Sequence, residues 1–355
     1  MVRSASRRRK AQADARPERP AEKTAQKSEQ PNHAPAKRPR IGLALGGGGA
    51  RGLAHIPALE AFDELGIKPD IIAGTSIGAI YGGAYASGIA ARDLRAHTTD
   101  VLTQRLGLMR ELFNARSQAV NKVLRFFNAR SALLDPHALL DIVMPPETAI
   151  DFADLEIPIK IVATDFYEQT AVVFTSGSVK RAIAASMALP VVFEPIVIDG
   201  VAMIDGGLSN PLPFDLISED ADIIVAVDVT GAPAPSPHRD YPSAFEVLFS
   251  SPFIFERTIV QEKLKSCRPD ILIEGGTSHF QTLDFLKVEE ILSAAEPVKD
   301  KLKMHLERVL ASETLAVVEE DKSGRSLPAT ADEIPARKRR IPRIGKRKIA
   351  PAGKA

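Results

Sequence analysis

A single serine stands between two glycines at the point where an apolar run of the chain ends. The residues Gly74-Thr-Ser-Ile-Gly78 place Ser76 at the centre, directly after the apolar residues 71–73. When a strand turns sharply into a helix, the turn residue projects above the sheet edge, and its neighbours must be small because the backbone crowds them. This spacing predicts a nucleophile elbow with the Ser76 hydroxyl at a ligand-binding edge. The alternative is a glycine-rich turn with a serine cap.

A serine hydroxyl needs a base before it can attack a carbonyl carbon. Histidine is the usual base, but none of the seven histidines follows a strand end in a suitable pattern. Asp205 offers a carboxylate instead, because it ends the apolar run 201–204 and begins the turn Asp205-Gly206-Gly207. Burial in an apolar cleft would raise its pKa above the ordinary value of about 3.9. An ordinary Asp-Gly turn is the alternative.

Four consecutive glycines, 46–49, lie between a predicted strand and a predicted helix. Several of their N–H groups can converge on one anion, either a phosphate or the oxyanion of an acyl-transfer intermediate. The spacing Gly47-x-Gly49-x-x-Gly52 matches a dinucleotide fingerprint, but the next strand ends in Gly-Thr-Ser and lacks the acid that would hold a ribose. No Gly-Lys-Ser/Thr is present for a Walker loop. The run therefore favours an oxyanion hole.

These residues lie at the ends of predicted strands in an alternating α/β order. Strands are predicted over 40–46, 70–74, 157–166, 171–175, 201–205, 222–229 and 269–275, and helices over 51–65, 77–86, 119–128, 179–188 and 283–310. Buried strands that alternate with helices are typical of a largely parallel central sheet with helices on both faces. We therefore expect one α/β domain over 40–312, with its core motifs in 41–215 and a helical insertion near 92–150.

The uncharged segment 71–91 is long enough to span a membrane. It contains five glycines, and its apolar side chains are mostly small. A buried strand, a turn and a buried helix are therefore expected there.

The net charge of +1 combines an acidic body with two basic ends. Residues 1–40 hold 12 Lys/Arg and 4 Asp/Glu, and residues 319–355 hold 11 and 5. Both ends are rich in Pro, Ala and charge without an apolar stripe, so 1–39 and 313–355 are predicted to be disordered basic tails. Such tails could attract an anionic membrane. The alternatives are a solvated tail or loose nucleic-acid binding, and no specific nucleic-acid partner is predicted.

The single cysteine, Cys267, excludes a disulfide within the chain and fits a reducing compartment. The amino end has no apolar stretch behind its arginines, so a secretory signal is not expected. The predicted location is cytoplasmic, with peripheral contact at the inner face of the membrane as a further hypothesis. Residues 120–127 place an apolar face beside two basic residues, which suits an interfacial helix or an ordinary core-facing one.

Four motifs follow one another along the chain: GGGGARG at 46–52, GTSIG at 74–78, ASMALPVVFEP at 185–195 and DGGLSNPLP at 205–213. Together they resemble the patatin-like phospholipase family, over roughly residues 41–275. The resemblance implies an α/β fold with a serine–aspartate dyad and no catalytic histidine. The first motif of that family often begins with Asp, where this chain has Gly46.

The resemblance also implies a role for each matched residue. Ser76 would be the nucleophile, and Asp205 would be the general base and then the general acid. The amides of Gly47, Gly48 and Gly49 would form the oxyanion hole, with Arg51 supporting the loop. The remaining motif positions are Gly52, Gly74, Gly78, Gly206 and Gly207.

The implied reaction is a two-step hydrolysis of a carboxylic ester through an acyl-serine. Lipid acyl esters would be the substrates, and no metal or cofactor would be needed. An acyltransferase or a thioesterase would use the same dyad. A protein that binds a lipid or a nucleotide without turnover is the alternative from another class.

Overall fold

The computed structural model describes residues 38–104, 134–231, 241–242 and 244–323. The helix predicted over 119–128 lies outside the described residues. So do residues 1–37 and 324–355, which make up most of the two predicted tails.

Eight strands form one sheet within the described residues. They are β1 (Ile41–Leu45), β2 (Ile71–Thr75), β3 (Ile159–Asp165), β4 (Thr170–Phe174), β5 (Ile196–Ile198), β6 (Val201–Asp205), β7 (Ile223–Asp228) and β8 (Ile271–Glu274). Their order is β5-β6-β3-β2-β1-β7-β8, and β4 also pairs with β3. The run β3-β2-β1-β7-β8 is parallel, whereas β4, β5 and β6 pair antiparallel. The prediction of a largely parallel central sheet is confirmed.

Helices cover both faces of this sheet. They are α1 (His55–Glu64), α2 (Ile77–Ala86), α3 (Ala91–Gln104), α4 (Pro136–Val143), α5 (Val179–Ser186), α6 (Ala244–Ser266), α7 (Val288–Ala295) and α8 (Pro297–Ser323). In β1, Leu43 and Leu45 pack into a core that includes α1, α2 and α5. Ala44, between them, packs into a second core with Val260 of α6. Because alternate residues of a strand point to opposite faces, the two cores lie on opposite sides of the sheet, as predicted.

The uncharged segment 71–91 folds as strand β2, a turn and helix α2, which confirms that expectation. Every residue of α2 is buried in the protein core. Among the helices of the described part of the chain, none combines the length and the apolar character needed to cross a bilayer.

The sequence predicts neither strand β5 nor helix α6. Strand β5 has only three residues, which is too short for an alternating pattern to be recognised. Helix α6 contains Pro252 in its interior. A proline removes a backbone hydrogen bond and usually ends or kinks a helix, so the local sequence argues against one continuous helix. Packing against the sheet overrides that local preference.

The single helix predicted over 283–310 is two helices, α7 and α8. The second begins at Pro297, because proline lacks an N–H group and fits the first turn of a helix better than its interior. Helix α8 continues to Ser323. The domain boundary placed at residue 312 therefore falls inside this helix.

Strand β3 brings the ends of two other strands together. On one side, residues 161–165 of β3 pair with β4. On the other side, Thr75 at the end of β2 lies opposite Val162, and Asp205 at the end of β6 lies opposite the next residue, Ala163. Strands β2 and β6 therefore follow one another along the same side of β3, with their carboxyl ends adjacent.

Candidate active site

Ser76 occupies a strained turn between β2 and α2. Its backbone has φ 55° and ψ −121°, a conformation that residues with side chains rarely adopt. A Cβ on Gly74 would lie 2.7 Å from the Gly78 carbonyl oxygen, and a Cβ on Gly78 would lie 2.2 Å from the Leu45 carbonyl oxygen. Both glycines of the predicted elbow are therefore required by close backbone approach. The turn leaves Ser76 at the wall of a cavity.

The Ser76 hydroxyl donates a hydrogen bond to Asp205. The Ser76 Oγ and Asp205 Oδ2 atoms are 2.8 Å apart, although 129 positions separate the residues in the chain. The other carboxyl oxygen, Oδ1, accepts a hydrogen bond of 2.7 Å from the N–H of Gly207. Gly206 cannot carry a side chain without a shift, because a Cβ there would lie 2.1 Å from the Val162 carbonyl oxygen. The Asp-Gly-Gly turn thus holds one oxygen of Asp205 and directs the other at Ser76.

Burial makes Asp205 a stronger base than a solvent-exposed carboxylate. The residue is 3% exposed. Burial raises its pKa to about 6, and the hydrogen bonds from Gly207 and Ser76 partly oppose that shift. A carboxyl group with this pKa is mostly ionised at neutral pH, yet it accepts a proton more readily than an ordinary aspartate.

Of the three loop amides that the family resemblance implies, two are unpaired in the described part of the chain and belong to residues that line the cavity. The N–H of Gly47 donates to the Pro211 carbonyl oxygen at 2.9 Å, so that amide is already engaged. No described residue accepts a hydrogen bond from the N–H of Gly48 or Gly49, and both residues line the cavity beside Ser76. Gly47 therefore ties the loop to the segment that follows Asp205, whereas the N–H groups of Gly48 and Gly49 remain unpaired among the described residues.

Arg51 and Gly52 pack the loop against its surroundings. Arg51 is 2% exposed, and its Cζ atom lies 5.4 Å from the centroid of the Phe253 ring. Its Nε and Nη2 atoms have no hydrogen-bond partner among the described residues. A Cβ on Gly52 would lie 2.1 Å from Cγ2 of Ile77, so a glycine there lets the loop approach the elbow closely.

His55 holds the first residue of the loop. Its Nε2–H donates to the Gly46 carbonyl oxygen at 2.8 Å. Burial lowers the pKa of the ring to about 4, so it is neutral at physiological pH. No histidine of the described ranges lines the cavity. His55 therefore packs the loop and is not placed to take the Ser76 proton.

The cavity beside Ser76 has a volume of about 130 Å³. Most of its wall is apolar, with side chains from α2, α3, α4, α6 and the segment 187–193, for example Ile80, Val101, Leu139 and Val192. An apolar chain could lie along this wall with its polar end at the Ser76 hydroxyl.

The family model of patatin-like phospholipases matches residues 43–217, a stretch that contains both Ser76 and Asp205. The chain contains a patatin-like phospholipase domain. The resemblance carried by the four motifs is thereby confirmed, and so is the patatin-like α/β fold.

Relatives of this patatin-like chain occur in bacteria and fungi. It is 41% identical over 203 residues to an uncharacterized NTE family protein of Mycobacterium tuberculosis, a match that covers 57% of this chain and 52% of that protein. It is 28% identical over 284 residues to lysophospholipase NTE1 of Scheffersomyces stipitis, which covers 74% of this chain and 18% of that protein. The match thus spans about half of the mycobacterial protein and a smaller part of the yeast one. Among solved structures, VipD from Legionella pneumophila aligns with 75% of this chain and 66% of its own, with 14% identity and a TM-score of 0.41.

Two residues at the patatin-like site have no role predicted from the sequence. Ser186, at the end of α5, is fully buried, and its Oγ accepts a hydrogen bond of 2.8 Å from the N–H of Ser76. It belongs to the motif at 185–195, but only the fold shows what it contacts. Glu256 of α6 also lines the cavity. No motif marks Glu256, and the sequence predicts no element around it.

Proposed function

We propose that this protein hydrolyses carboxylic esters of lipids through an acyl-serine, with Ser76 as the nucleophile and Asp205 as the base. The observation that carries the proposal is the 2.8 Å hydrogen bond from Ser76 Oγ to Asp205 Oδ2 at the wall of an apolar cavity. A serine hydroxyl becomes a nucleophile when a positioned base can take its proton. Asp205 supports that role because it is buried, hydrogen-bonded to the hydroxyl and mostly ionised at neutral pH.

In the first step, Asp205 Oδ2 accepts the Ser76 proton while Ser76 Oγ attacks the carbonyl carbon of the ester. The N–H groups of Gly48 and Gly49 stabilise the negative charge that develops on the carbonyl oxygen, as backbone donors do in oxyanion holes. When the intermediate collapses, the bond to the alcohol oxygen breaks. That oxygen takes the proton from Asp205 and leaves as the alcohol, so Ser76 carries the acyl group.

In the second step, a water molecule attacks the acyl carbonyl carbon and gives a proton to Asp205. The tetrahedral intermediate collapses, the bond to Ser76 Oγ breaks, and Asp205 returns the proton to that oxygen. The carboxylic acid leaves, and the starting protonation states of Ser76 and Asp205 are restored. One carboxylate therefore serves as base and acid in both halves of the reaction.

The lining of the cavity supports a lipid substrate. Burial of an acyl chain against apolar walls contributes about 0.8 kcal/mol per CH₂ group. Among the described residues that line the cavity, no Lys, Arg or His is present to pair with a phosphate. We therefore expect the acyl chain inside the cavity and a charged head group outside it. The name of the yeast relative, a lysophospholipase, points to the same class of substrate.

The test combines turnover with covalent labelling of the purified protein. A short-chain nitrophenyl ester should be hydrolysed, and a fluorophosphonate should modify Ser76, as located by mass spectrometry of the peptides. Both signals should be lost in Ser76→Ala and retained in the matched control Ser312→Ala, since Ser312 is an exposed residue of α8. If folded wild-type protein turns over no ester and Ser76 stays unmodified, the protein is a binder without turnover and the proposal is wrong.

Product analysis with a competing alcohol separates hydrolysis from acyl transfer, since both reactions pass through the same acyl-serine. Free fatty acid should remain the main product when the alcohol is added. A dominant ester of the added alcohol would show an acyltransferase.

A further inference from the structure

The cavity contains a second carboxyl group, which the proposed reaction does not use. Glu256, on α6, is 2% exposed and lines the same cavity as Ser76 and Asp205. Its Oε2 atom has no hydrogen-bond partner among the described residues. Since buried side-chain polar atoms are almost always paired in native proteins, this carboxyl group needs an explanation.

Glu256 lies close to the reacting groups. A Cβ built on Gly207 would be 2.5 Å from Glu256 Oε1 and 3.1 Å from Asp205 Oδ1. Both oxygens are near the same point, so they lie within about 6 Å of each other, the range over which charges shift each other's pKa. The other oxygen of Asp205 is bonded to Ser76. The Glu256 carboxyl group therefore lies beside Asp205, in the wall of the same cavity that an ester must enter to reach Ser76.

The charged groups that face Glu256 do not pair with it. They are Arg51, Asp205 and Asp228. No described residue forms an ion pair with Glu256. The Nε and Nη2 atoms of Arg51 also have no hydrogen-bond partner among the described residues. Burial and then the charge of Asp205 raise the pKa of Glu256 well above its ordinary value. The protonated carboxyl group can donate one hydrogen bond and accept others.

No described residue in the walls near Glu256 supplies the missing partner. Phe253, one helical turn earlier on α6, is apolar, and so is most of the cavity lining. A carboxyl group with no structural partner, held against a substrate cavity, has the position of a group that recognises a ligand.

The geometry points to Glu256 as a specificity-determining residue that binds a hydroxyl group of the substrate, two or three bonds from the scissile ester. The inference rests on the proposed function, because it places the ester carbonyl at Ser76. The hydroxyl could belong to the alcohol part, beside the acylated oxygen, or to the acyl chain, near its carbonyl carbon. A site built to hydrogen-bond a hydroxyl rejects the analogue that lacks it, because the buried carboxyl group then stays unpaired.

The experiment compares three esters with the same chain length: monooctanoylglycerol, propyl octanoate and propyl 3-hydroxyoctanoate. Wild-type protein should prefer one of the hydroxylated esters over propyl octanoate by about ten- to a hundredfold in kcat/KM. A preference for the glycerol ester assigns the hydroxyl to the alcohol part, and a preference for the hydroxyacyl ester assigns it to the chain. In Glu256→Leu the ratio should fall to about one, and Glu256→Gln should retain part of it because an amide also donates and accepts.

The matched control is Glu262→Leu, since Glu262 is an exposed residue on the same helix and should leave both the ratio and the rates unchanged. A second measurement needs no turnover: thermal stabilisation of Ser76→Ala by each ester, with and without Glu256→Leu. The hydroxylated ester should stabilise Ser76→Ala more, and the difference should vanish in the double variant. Equal kcat/KM for all three esters in wild-type protein, or a preference that survives Glu256→Leu, would overturn the inference.

The two proposals fail in different ways. Loss of the proposed function appears as unlabelled Ser76 and no hydrolysis of any ester. In that case the thermal stabilisation of Ser76→Ala by the esters still decides whether Glu256 recognises a hydroxyl group.

Discussion

Helix α6 carries two ionisable side chains with little exposure to solvent, Glu256 and Lys263, and only Lys263 has a complete set of hydrogen-bond partners in the described part of the chain. The Nζ atom of Lys263 donates to Asn210 Oδ1 at 2.6 Å, to the Leu212 carbonyl oxygen at 2.7 Å and to Asp215 Oδ1 at 2.5 Å. All three protons of its ammonium group therefore have an acceptor. Two turns earlier, Glu256 leaves an oxygen without any partner among the described residues.

The difference separates the part of α6 that holds the fold from the part that faces the cavity. Lys263 fastens the helix to the segment that follows Asp205. Around the cavity, by contrast, polar groups stay open: the carboxyl group of Glu256, the guanidinium of Arg51 and the N–H groups of Gly48 and Gly49. Functional sites commonly sacrifice stability in this way. Substitutions at the paired end should therefore reduce stability, and those at the open end should reduce activity.

The largest expected effect is that of Asp205→Asn on turnover. The amide keeps the size of the carboxylate but cannot take the Ser76 proton, so kcat should fall roughly a thousandfold or more. The free energy of unfolding at neutral pH, by contrast, should increase. The folded-state pKa of about 6 lies above the ordinary 3.8, so stability is lost as the pH rises from about 4 to about 6 and Asp205 ionises. The neutral variant should therefore be more stable at pH 7, by roughly 1–3 kcal/mol.

Ester hydrolysis and urea unfolding of Asp205→Asn measure these two quantities. Asp300→Asn is the matched control, because Asp300 is an exposed residue of α8. If the variant keeps its activity and loses stability, Asp205 has a structural role, and the distinction between residues that stabilise the fold and residues that serve activity is wrong here.

Lys263→Met should produce the largest loss of stability. Removing the ammonium group leaves the buried Asn210 and the partly buried Asp215 without their shared donor. Breaking a fully buried pair costs roughly 3–5 kcal/mol, which is the upper limit for this partly buried one. Lys265→Met is the control, since its side chain is 69% exposed, and it should change stability by less than about 0.5 kcal/mol. Urea unfolding measures both variants. Similar values for the two would show that pairing does not distinguish Lys263.

Ser186→Ala tests a residue of α5 that supports the elbow beside the cavity, and it leaves Ser76 and Asp205 unchanged. The variant removes the acceptor of the Ser76 N–H, so the strained turn is held less firmly. A small displacement of a nucleophile can cost ten- to a hundredfold in kcat, whereas one lost hydrogen bond costs only about 1 kcal/mol of stability. Ester kinetics and thermal unfolding give the two values. Unchanged kcat with a large loss of stability would assign Ser186 to the core.

The smallest effect is a pH dependence set by Asp205. Because the base must be ionised and its pKa is about 6, kcat/KM should fall about tenfold for each pH unit below about pH 6. Ester kinetics from pH 4.5 to 8, with the fold followed by circular dichroism, provide the profile. If kcat/KM instead begins to fall only near about pH 4, the ordinary pKa of an aspartate, Asp205 is not desolvated when it acts.

Much of the fold could be predicted because its signals are local. Strands β1, β2 and β7 were predicted to within one residue at each end, and β6 and α2 had the predicted bounds. Each is an apolar run closed by glycine or by a polar turn residue, so neighbouring residues suffice to define it. Helix α6 has no such signal, since Pro252 opposes a continuous helix and only packing against the sheet maintains it. Glu256 was missed for the same reason.

The sequence alone determined which residues can do chemistry. Gly74, Ser76 and Gly78 define the elbow because its crowding involves residues that are close in the chain, and Asp205-Gly206-Gly207 defines a turn in the same way. Only the tertiary structure decided that Ser76 and Asp205 meet, because residues so far apart are joined through their neighbours on β3. It also decided that the Gly47 amide binds Pro211 and that Glu256 faces the cavity. Such contacts depend on how distant segments pack, so a local sequence pattern does not predict them.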